Sequence, residues 1–310
     1  MSEVLSYEDL DKENFKSGFI ALVGRPNAGK STLLNAMLGK KLAITSDTAQ
    51  TTRHRFRGIV TRKNFQAIFV DTPGLHKPID ALSEELNVSA LKALEDVDVI
   101  AFLIDVCAPI GKGDEWVASQ VNAAHAKRIC VLTKCDLATQ EQISSQRAKA
   151  QNLCKWDAFV ALSSVTGKNV EAFLEEVVYC MDEGPAWFPP DMETDQPLEV
   201  LIAEFIREKI LRNFEDEVPH AIGVMVEELE YYKKKDIYRI YANIYVERES
   251  QKGIIIGKGG KSIRLIGQSA RADLETLLGC RCWLDLRVKV RKNWRKDATQ
   301  IRRFGYGEGI

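Results

Sequence analysis

Between Gly24 and Ser31 the chain reads GRPNAGKS, which continues the apolar run GFIALVG (18–24) and leads into 31–38, a stretch of helical periodicity. A strand that turns through a glycine-rich loop into a helix commits the chain to an α/β arrangement of strands and covering helices. The following segments keep that commitment. QAIFVD (66–71), VDVIAFLIDV (97–106), RICVLTK (128–134) and DAFVALS (157–163) are short apolar runs of the kind that form buried parallel strands. Helix-like stretches over 82–95, 114–126 and 170–181 separate them. The pattern predicts a three-layer α/β domain over residues 1–181.

The loop also has a chemistry. Gly24 and Gly29 let the backbone wrap until its N–H groups face phosphate oxygens, so Gly24, Arg25, Pro26, Asn27, Ala28, Gly29, Lys30, Ser31 and Thr32 form the expected cradle. Lys30 supplies charge for β- and γ-phosphates, and the Ser31 hydroxyl suits Mg2+. DTPGL (71–75) ends the next strand: Asp71 can hold Mg2+ through its water shell, and the Gly74 N–H can meet a γ-phosphate, with Thr72, Pro73 and Leu75 flanking. TKCD, Thr133-Lys134-Cys135-Asp136, ends a later strand. A carboxylate there accepts from the guanine N1–H and amino group, whereas adenine has no matching donors. The stem of Lys134 can cover the base. Ser163, Ser164 and Val165 follow the last strand and can close over the base.

These motifs, in this order, resemble the guanine-nucleotide site of the translation-factor-like GTPases. By that resemblance SDTAQTTRHR (46–55) is the first switch loop, with Thr52 the Mg2+-ligating threonine and Thr51 the alternative. Lys30, Thr52 and Gly74 are then the catalytic set. Leu75 stands where many relatives carry a water-orienting Gln, which implies slow hydrolysis and reliance on backbone groups, Mg2+ and, as a further candidate cation, K+ on Asn27. Thr133 replaces a common Asn, and its hydroxyl can still tie this loop to the phosphate loop.

The rhythm breaks at MDEGPAWFPPDMETDQP (181–197), which holds four of the nine Pro, so 182–197 is the expected linker. Beyond it the charge splits. From 181 to 230 there are 3 Lys+Arg against 14 Asp+Glu; from 231 to 310 there are 19 against 8, although the whole chain carries only −1. A basic block of this kind suits a polyanion. The segments over 198–292 read α-β-β-α-α-β, with KKKD (233–236) as a hairpin turn and 293–310 as a basic tail. IIIGKGGKSIR (254–264) lies between the two adjacent helices. It is not a second nucleotide loop, because the position five residues before Gly260 is Ile255. Gly-x-x-Gly in that place resembles a type II KH domain, an α+β fold that grips about four nucleotides. Gly257, Lys258, Gly259, Gly260 and Lys261 would meet the RNA backbone, and Ile254, Ile255 and Ile256 would line the base groove.

A GTPase domain, an acidic linker and a C-terminal KH domain together resemble the Era family of GTPases over nearly the full chain. VERESQKGIIIGKGGKSIRLIG (246–267) and VKVRKNWRKD (288–297) carry the second half of that resemblance. It implies GTP/GDP and Mg2+ as ligands, and 16S rRNA near its 3′ end and the 30S subunit as partners. It further implies a role in small-subunit maturation, a monomer, and a cytoplasmic protein loosely associated with the inner face of the cell membrane. Two alternatives stay open: a nucleotide-binding clamp that barely turns over, and an ATP-using enzyme, which TKCD disfavours. The seven Cys read as reduced thiols rather than a disulfide framework. Of the tryptophans, Trp294, set among basic residues, is the candidate for stacking on a base, and Trp187 and Trp283 are expected to pack.

Overall fold

The computed structural model describes residues 5–11, 13–46, 48, 51–75, 80–214 and 218–306. Within the expected switch loop Asp47, Ala49 and Gln50 lie outside the described residues, as does His76. The chain divides into two compact units: 1–41, 52–78 and 86–195 form the first, and 42–51, 79–85 and 196–310 the second.

The first unit is a six-stranded sheet in the order β2-β3-β1-β4-β5-β6. Its strands are β1 (Lys16–Val23), β2 (Phe56–Arg62), β3 (Phe65–Asp71), β4 (Val99–Asp105), β5 (Lys127–Thr133) and β6 (Ala158–Ala161). Five pair in parallel, whereas β2 runs antiparallel to β3 at the edge. The helices are α1 (Lys30–Leu38), α2 (Ala81–Lys92, of which 86–92 belong to this unit), α3 (Lys112–Ala123), α4 (Gln140–Ala150) and α5 (Val170–Cys180). All seven residues of β3 are buried, and so are the first six of β4, as strands covered on both faces require. Sequence reading finds neither β2 nor α4. FRGIVTR mixes charge, glycine and apolar residues, and Gly58 is needed because a Cβ there would meet Leu34 Cδ1 at 2.5 Å.

The segment expected as a free linker is tied down in this unit. The Gln66 side chain, fully buried, accepts from the Trp187 and Phe188 N–H groups at 2.7 and 2.9 Å and donates to the Phe188 carbonyl at 2.9 Å. Ile59 N–H donates to Glu193 O at 2.8 Å, and Arg57 pairs with Asp195.

The second unit is built on a three-stranded sheet, β7-β8-β9, from β7 (Gly223–Tyr232), β8 (Ile237–Val246) and β9 (Arg281–Val290). β8 pairs antiparallel with β7 and parallel with β9. Helices α6 (Leu198–Asn213), α8 (Glu249–Ile256) and α9 (Lys261–Leu278) supply the core, which meets the sheet at Ile240, Ala242, Ile244 and Val246. Those four alternate along β8 with Arg239, Tyr241, Asn243 and Tyr245 on its other face. α9 buries Ile266, Ala270 and Leu274, one stripe at four-residue spacing. A short helix α7 (Val218–Ala221) precedes β7, and α10 (Ala298–Arg303) follows the sheet. Lys233 to Asp236 form the exposed hairpin turn.

The tail corrects the tryptophan reading. Trp294 is fully buried: its indole N–H donates to Ala221 O at 3.0 Å and its ring packs against Phe304 and Tyr306. It cannot stack on a base. Trp187 and Trp283 do pack, against Phe19 and Tyr241, while remaining 58% and 43% exposed. All seven cysteines are free thiols, and burial pushes Cys130 up to about 12.

Candidate functional site

The parallel strands bring the four motifs to one edge of the sheet. Gly24–Ser31 follows β1, Asp71 ends β3, Thr133 ends β5 and Ser163 follows β6. All lie at C-terminal strand ends, where β1 is flanked by β3 and β4 and a crevice opens in a sheet of this topology.

Within the loop the Lys30 ammonium is buried and donates to the Gly24 and Arg25 carbonyls at 3.3 and 3.2 Å. Burial pushes its pKa below the usual lysine range, and the Asp71 charge works against that shift. Arg25 reaches away from the loop, its Nε 2.9 Å from the buried Asp114 carboxylate at the start of α3. Asn27 is exposed with φ 64°. Gly74 lies against the loop so closely that a Cβ would fall 2.8 Å from Pro26 N and 2.9 Å from Pro26 Cα. The Thr72 hydroxyl donates to Leu22 O at 2.9 Å, which fixes DTPG against β1.

Ser31, Thr52 and Asp71 converge. Ser31 Oγ is 2.6 Å from Asp71 Oδ2 and 3.0 Å from Thr52 Oγ1, and Thr52 Oγ1 donates to Asp71 Oδ2 at 3.4 Å. Asp71 Oδ1 is buried and has no hydrogen-bond partner among the described residues. Desolvation raises the Asp71 pKa, opposed by the Lys30 charge and by the Ser31 and Thr52 hydroxyls. An orphaned buried carboxylate oxygen beside two hydroxyls fits a hard divalent cation such as Mg2+. Among the described residues no group of three or more His, Cys, Asp or Glu could hold a metal unaided. One carboxylate and two hydroxyls suit Mg2+ only if phosphate oxygens and water complete its shell.

At the base end the Thr133 hydroxyl donates to Ala28 O at 2.8 Å, so the link between TKCD and the phosphate loop is present. Lys134 has φ 59°, and its ammonium pairs with Asp105 Oδ2 at 2.7 Å. Asp136 is exposed, Ser163 is buried and Val165 is 80% exposed. Asp105 was missed by sequence reading. It ends an apolar strand as Asp71 does, which is the signal that could have found it. Leu75 is buried in the core cluster that also holds Ile100 and Phe102, as a side chain that positions no water.

The second glycine loop forms a tight corner between α8 and α9. Gly257, Gly259 and Gly260 all have positive φ, at 70°, 63° and 74°. Lys258 and Lys261 are exposed, Ile254 is exposed and Ile256 half-buried. Ile255 is fully buried in the unit's core, which corrects its expected place in the groove.

Fold and site together define a P-loop GTPase that carries a KH domain. Residues 19–134 match the family described as 50S ribosome-binding GTPase, and residues 217–295 match the KH domain. The chain is 45% identical over 296 residues to the GTPase Era of Mycolicibacterium paratuberculosis, spanning 94% of this chain and 99% of that one. Against the GTPase Era of a Thermoanaerobacter species the identity is 44% over 291 residues, with coverage of 94% and 96%. Two solved Era structures superpose with TM-score 0.91 at 36% identity, covering 95% of this chain and 100% of theirs. One is a point variant from Aquifex aeolicus bound to GDP and AlF4−; the other is in complex with MgGDPNP and nucleotides 1506–1542 of 16S ribosomal RNA. The chain belongs to the Era family of GTPases.

Proposed function

We propose that this chain is a GTP-hydrolysing switch that binds 16S rRNA near its 3′ end through residues 198–292 and acts in maturation of the 30S subunit. The observation that carries the reading is the convergence of Ser31, Thr52 and the half-satisfied Asp71 beside a buried Lys30. Ser31 and Thr52 would hold Mg2+ directly and Asp71 through water. Bound there, Mg2+ neutralises charge on the phosphate oxygens. Lys30 and the backbone N–H groups of the 24–32 loop, which Pro26 lacks, hold the phosphates, and the Gly74 N–H meets the terminal one. Asp136 selects guanine, with Lys134 held over the base by Asp105. Ser163, Ser164 and Val165 cap the base. Asn27, exposed on the rim, offers an amide oxygen of the hardness K+ prefers. With Leu75 buried where many relatives place a water-orienting Gln, intrinsic hydrolysis is slow.

The RNA reading is supported by the Gly257–Gly260 corner, by its flanking Lys258 and Lys261 with Ile254 and Ile256, and by the relative solved with rRNA nucleotides. The 50S description attaches to residues 19–134 alone, and the rRNA reading rests on the other half. Association with the 30S subunit, a monomeric state, and peripheral contact with the inner membrane face complete the proposal on the family resemblance. Among the described residues no helix is long and apolar enough to cross a membrane. GTP turnover by the full chain, measured with and without RNA and K+, tests the reading. Turnover stimulated by either supports a switch, and none under any condition leaves a binding clamp.

A further inference from the structure

Helix α6 carries three consecutive charged residues, all buried: Arg207, Glu208 and Lys209. Buried charge is costly unless each group is paired, so the partners indicate what each is for. Lys209 pairs with Asp273 of α9 and with Glu208, which holds two helices together. Arg207 and Glu208 reach elsewhere, to the backbone of 42–51, a segment of the same unit. Glu208 Oε1 accepts the Thr45 N–H at 3.0 Å and the Arg212 guanidinium at 3.1 Å. Arg212 also donates to the Thr45 carbonyl and hydroxyl, at 3.2 and 3.0 Å. Arg207, held by Glu204 at 2.6 and 2.8 Å, donates to the Thr51 carbonyl.

Thr45 and Thr51 are therefore both held by one helix, and Ile44 is buried in the core of the same unit. The segment is also tied to itself: Thr51 Oγ1 donates to Thr48 O at 2.6 Å and lies 2.7 Å from Ser46 Oγ. The unit's boundary falls at the Thr51–Thr52 bond. The Thr51 carbonyl and the Thr52 nitrogen share one rigid peptide plane. A guanidinium that holds that carbonyl fixes the origin of the Thr52 side chain.

We infer that Arg207, supported by Glu208 and Arg212, is a positioning residue for triphosphate binding and hydrolysis: it fixes the Thr51–Thr52 peptide plane and so presents the Thr52 hydroxyl to Mg2+. The inference rests on the reading of Thr52 as a metal-contacting threonine.

The test uses the full chain and four proteins: wild type, T52A, R207M and R212A. Dissociation constants are measured for GDP and for a non-hydrolysable GTP analogue with Mg2+, alongside thermal melts and hydrogen exchange over 42–52. T52A and R207M are expected to lower analogue affinity about tenfold with GDP affinity within about twofold, and R212A about two- to fivefold, the range of one or two lost hydrogen bonds. Exchange over 42–52 rises in R207M. If T52A shifts the ratio and R207M does not, the inference is overturned. If T52A itself leaves the ratio unchanged, the Thr52 reading fails and the inference with it. Should R207M fail to fold, R212A decides: its side chain is 49% exposed, and a wild-type ratio in that variant overturns the proposal.

Discussion

Replacing Gly257 with alanine tests the RNA-binding corner on physical grounds alone. Gly257 has φ 70° and ψ 168°, a region that only glycine occupies freely. Forcing an L-residue there costs on the order of 1–3 kcal/mol. The added Cβ would also lie 2.2 Å from Ser262 Oγ, 2.8 Å from Ser262 Cβ and 3.0 Å from Ser262 N. The hydroxyl can rotate aside, but the other two atoms belong to the first turn of α9 and move only with that turn. Overpacking of this kind adds roughly 1–3 kcal/mol. The core under α9 is anchored at Ile266, Ala270 and Leu274, so the corner yields before the helix does. If the corner backbone is the RNA cradle, even the lower part of that sum, about 2–4 kcal/mol, appears as roughly thirty- to a thousandfold weaker RNA binding. Fluorescence titration of a labelled single-stranded RNA with the sequence of the 16S 3′ end, with a GTP analogue present, measures this. Guanine-nucleotide affinity and the melt of the first unit serve as controls and stay near wild type. RNA affinity within twofold of wild type refutes the reasoning, and so does a parallel loss of nucleotide affinity.

Three more outcomes are expected. Gly74→Ala pushes a Cβ into Pro26 backbone atoms at 2.8 and 2.9 Å, so single-turnover GTP hydrolysis falls about ten- to a hundredfold while GDP affinity changes less. Burial raises the Asp71 pKa above the aspartate value of 3.8, so the folded chain holds that proton more tightly than the unfolded chain does. Metal-free stability attributable to this group therefore falls as pH rises between the ordinary and the raised value, while Mg2+ affinity, measured by titration, rises across the same window. In native alkylation followed by mass spectrometry, exposed Cys107 reacts first and guanine nucleotide slows it, since its Sγ lies 3.9 Å from Lys134 O; Cys130, raised to about 12 by burial, reacts only on unfolding.

The parallel sheet and the positions of the phosphate and base loops are legible in the sequence because the chemistry sits at strand ends. Apolar runs that close on GRPNAGKS, DTPG and TKCD announce the fold and the crevice together. What stays hidden depends on contacts remote in sequence. Trp294 looks exposed among Arg291, Lys292, Arg295 and Lys296, yet its partners, Phe304 and Tyr306, lie ten and twelve residues on, and Ala221 lies far upstream. The acidic linker looks free until the Gln66 amide takes up the backbone of Trp187 and Phe188. Arg207 and Glu208 read as the polar side of an amphipathic helix. Their partners Thr45 and Thr51 lie some 160 residues away, which no local pattern encodes. Asp105 was within reach, since it ends an apolar strand as Asp71 does.

The most direct test of the account is the affinity of the full chain for single-stranded RNA matching the 16S 3′ end, measured once with GDP and once with a non-hydrolysable GTP analogue and Mg2+. Tighter binding in the triphosphate state, lost in Thr52→Ala, is the expected result. Equal affinity in both states, or RNA binding that survives Gly257→Ala unchanged, contradicts a nucleotide-controlled grip on rRNA.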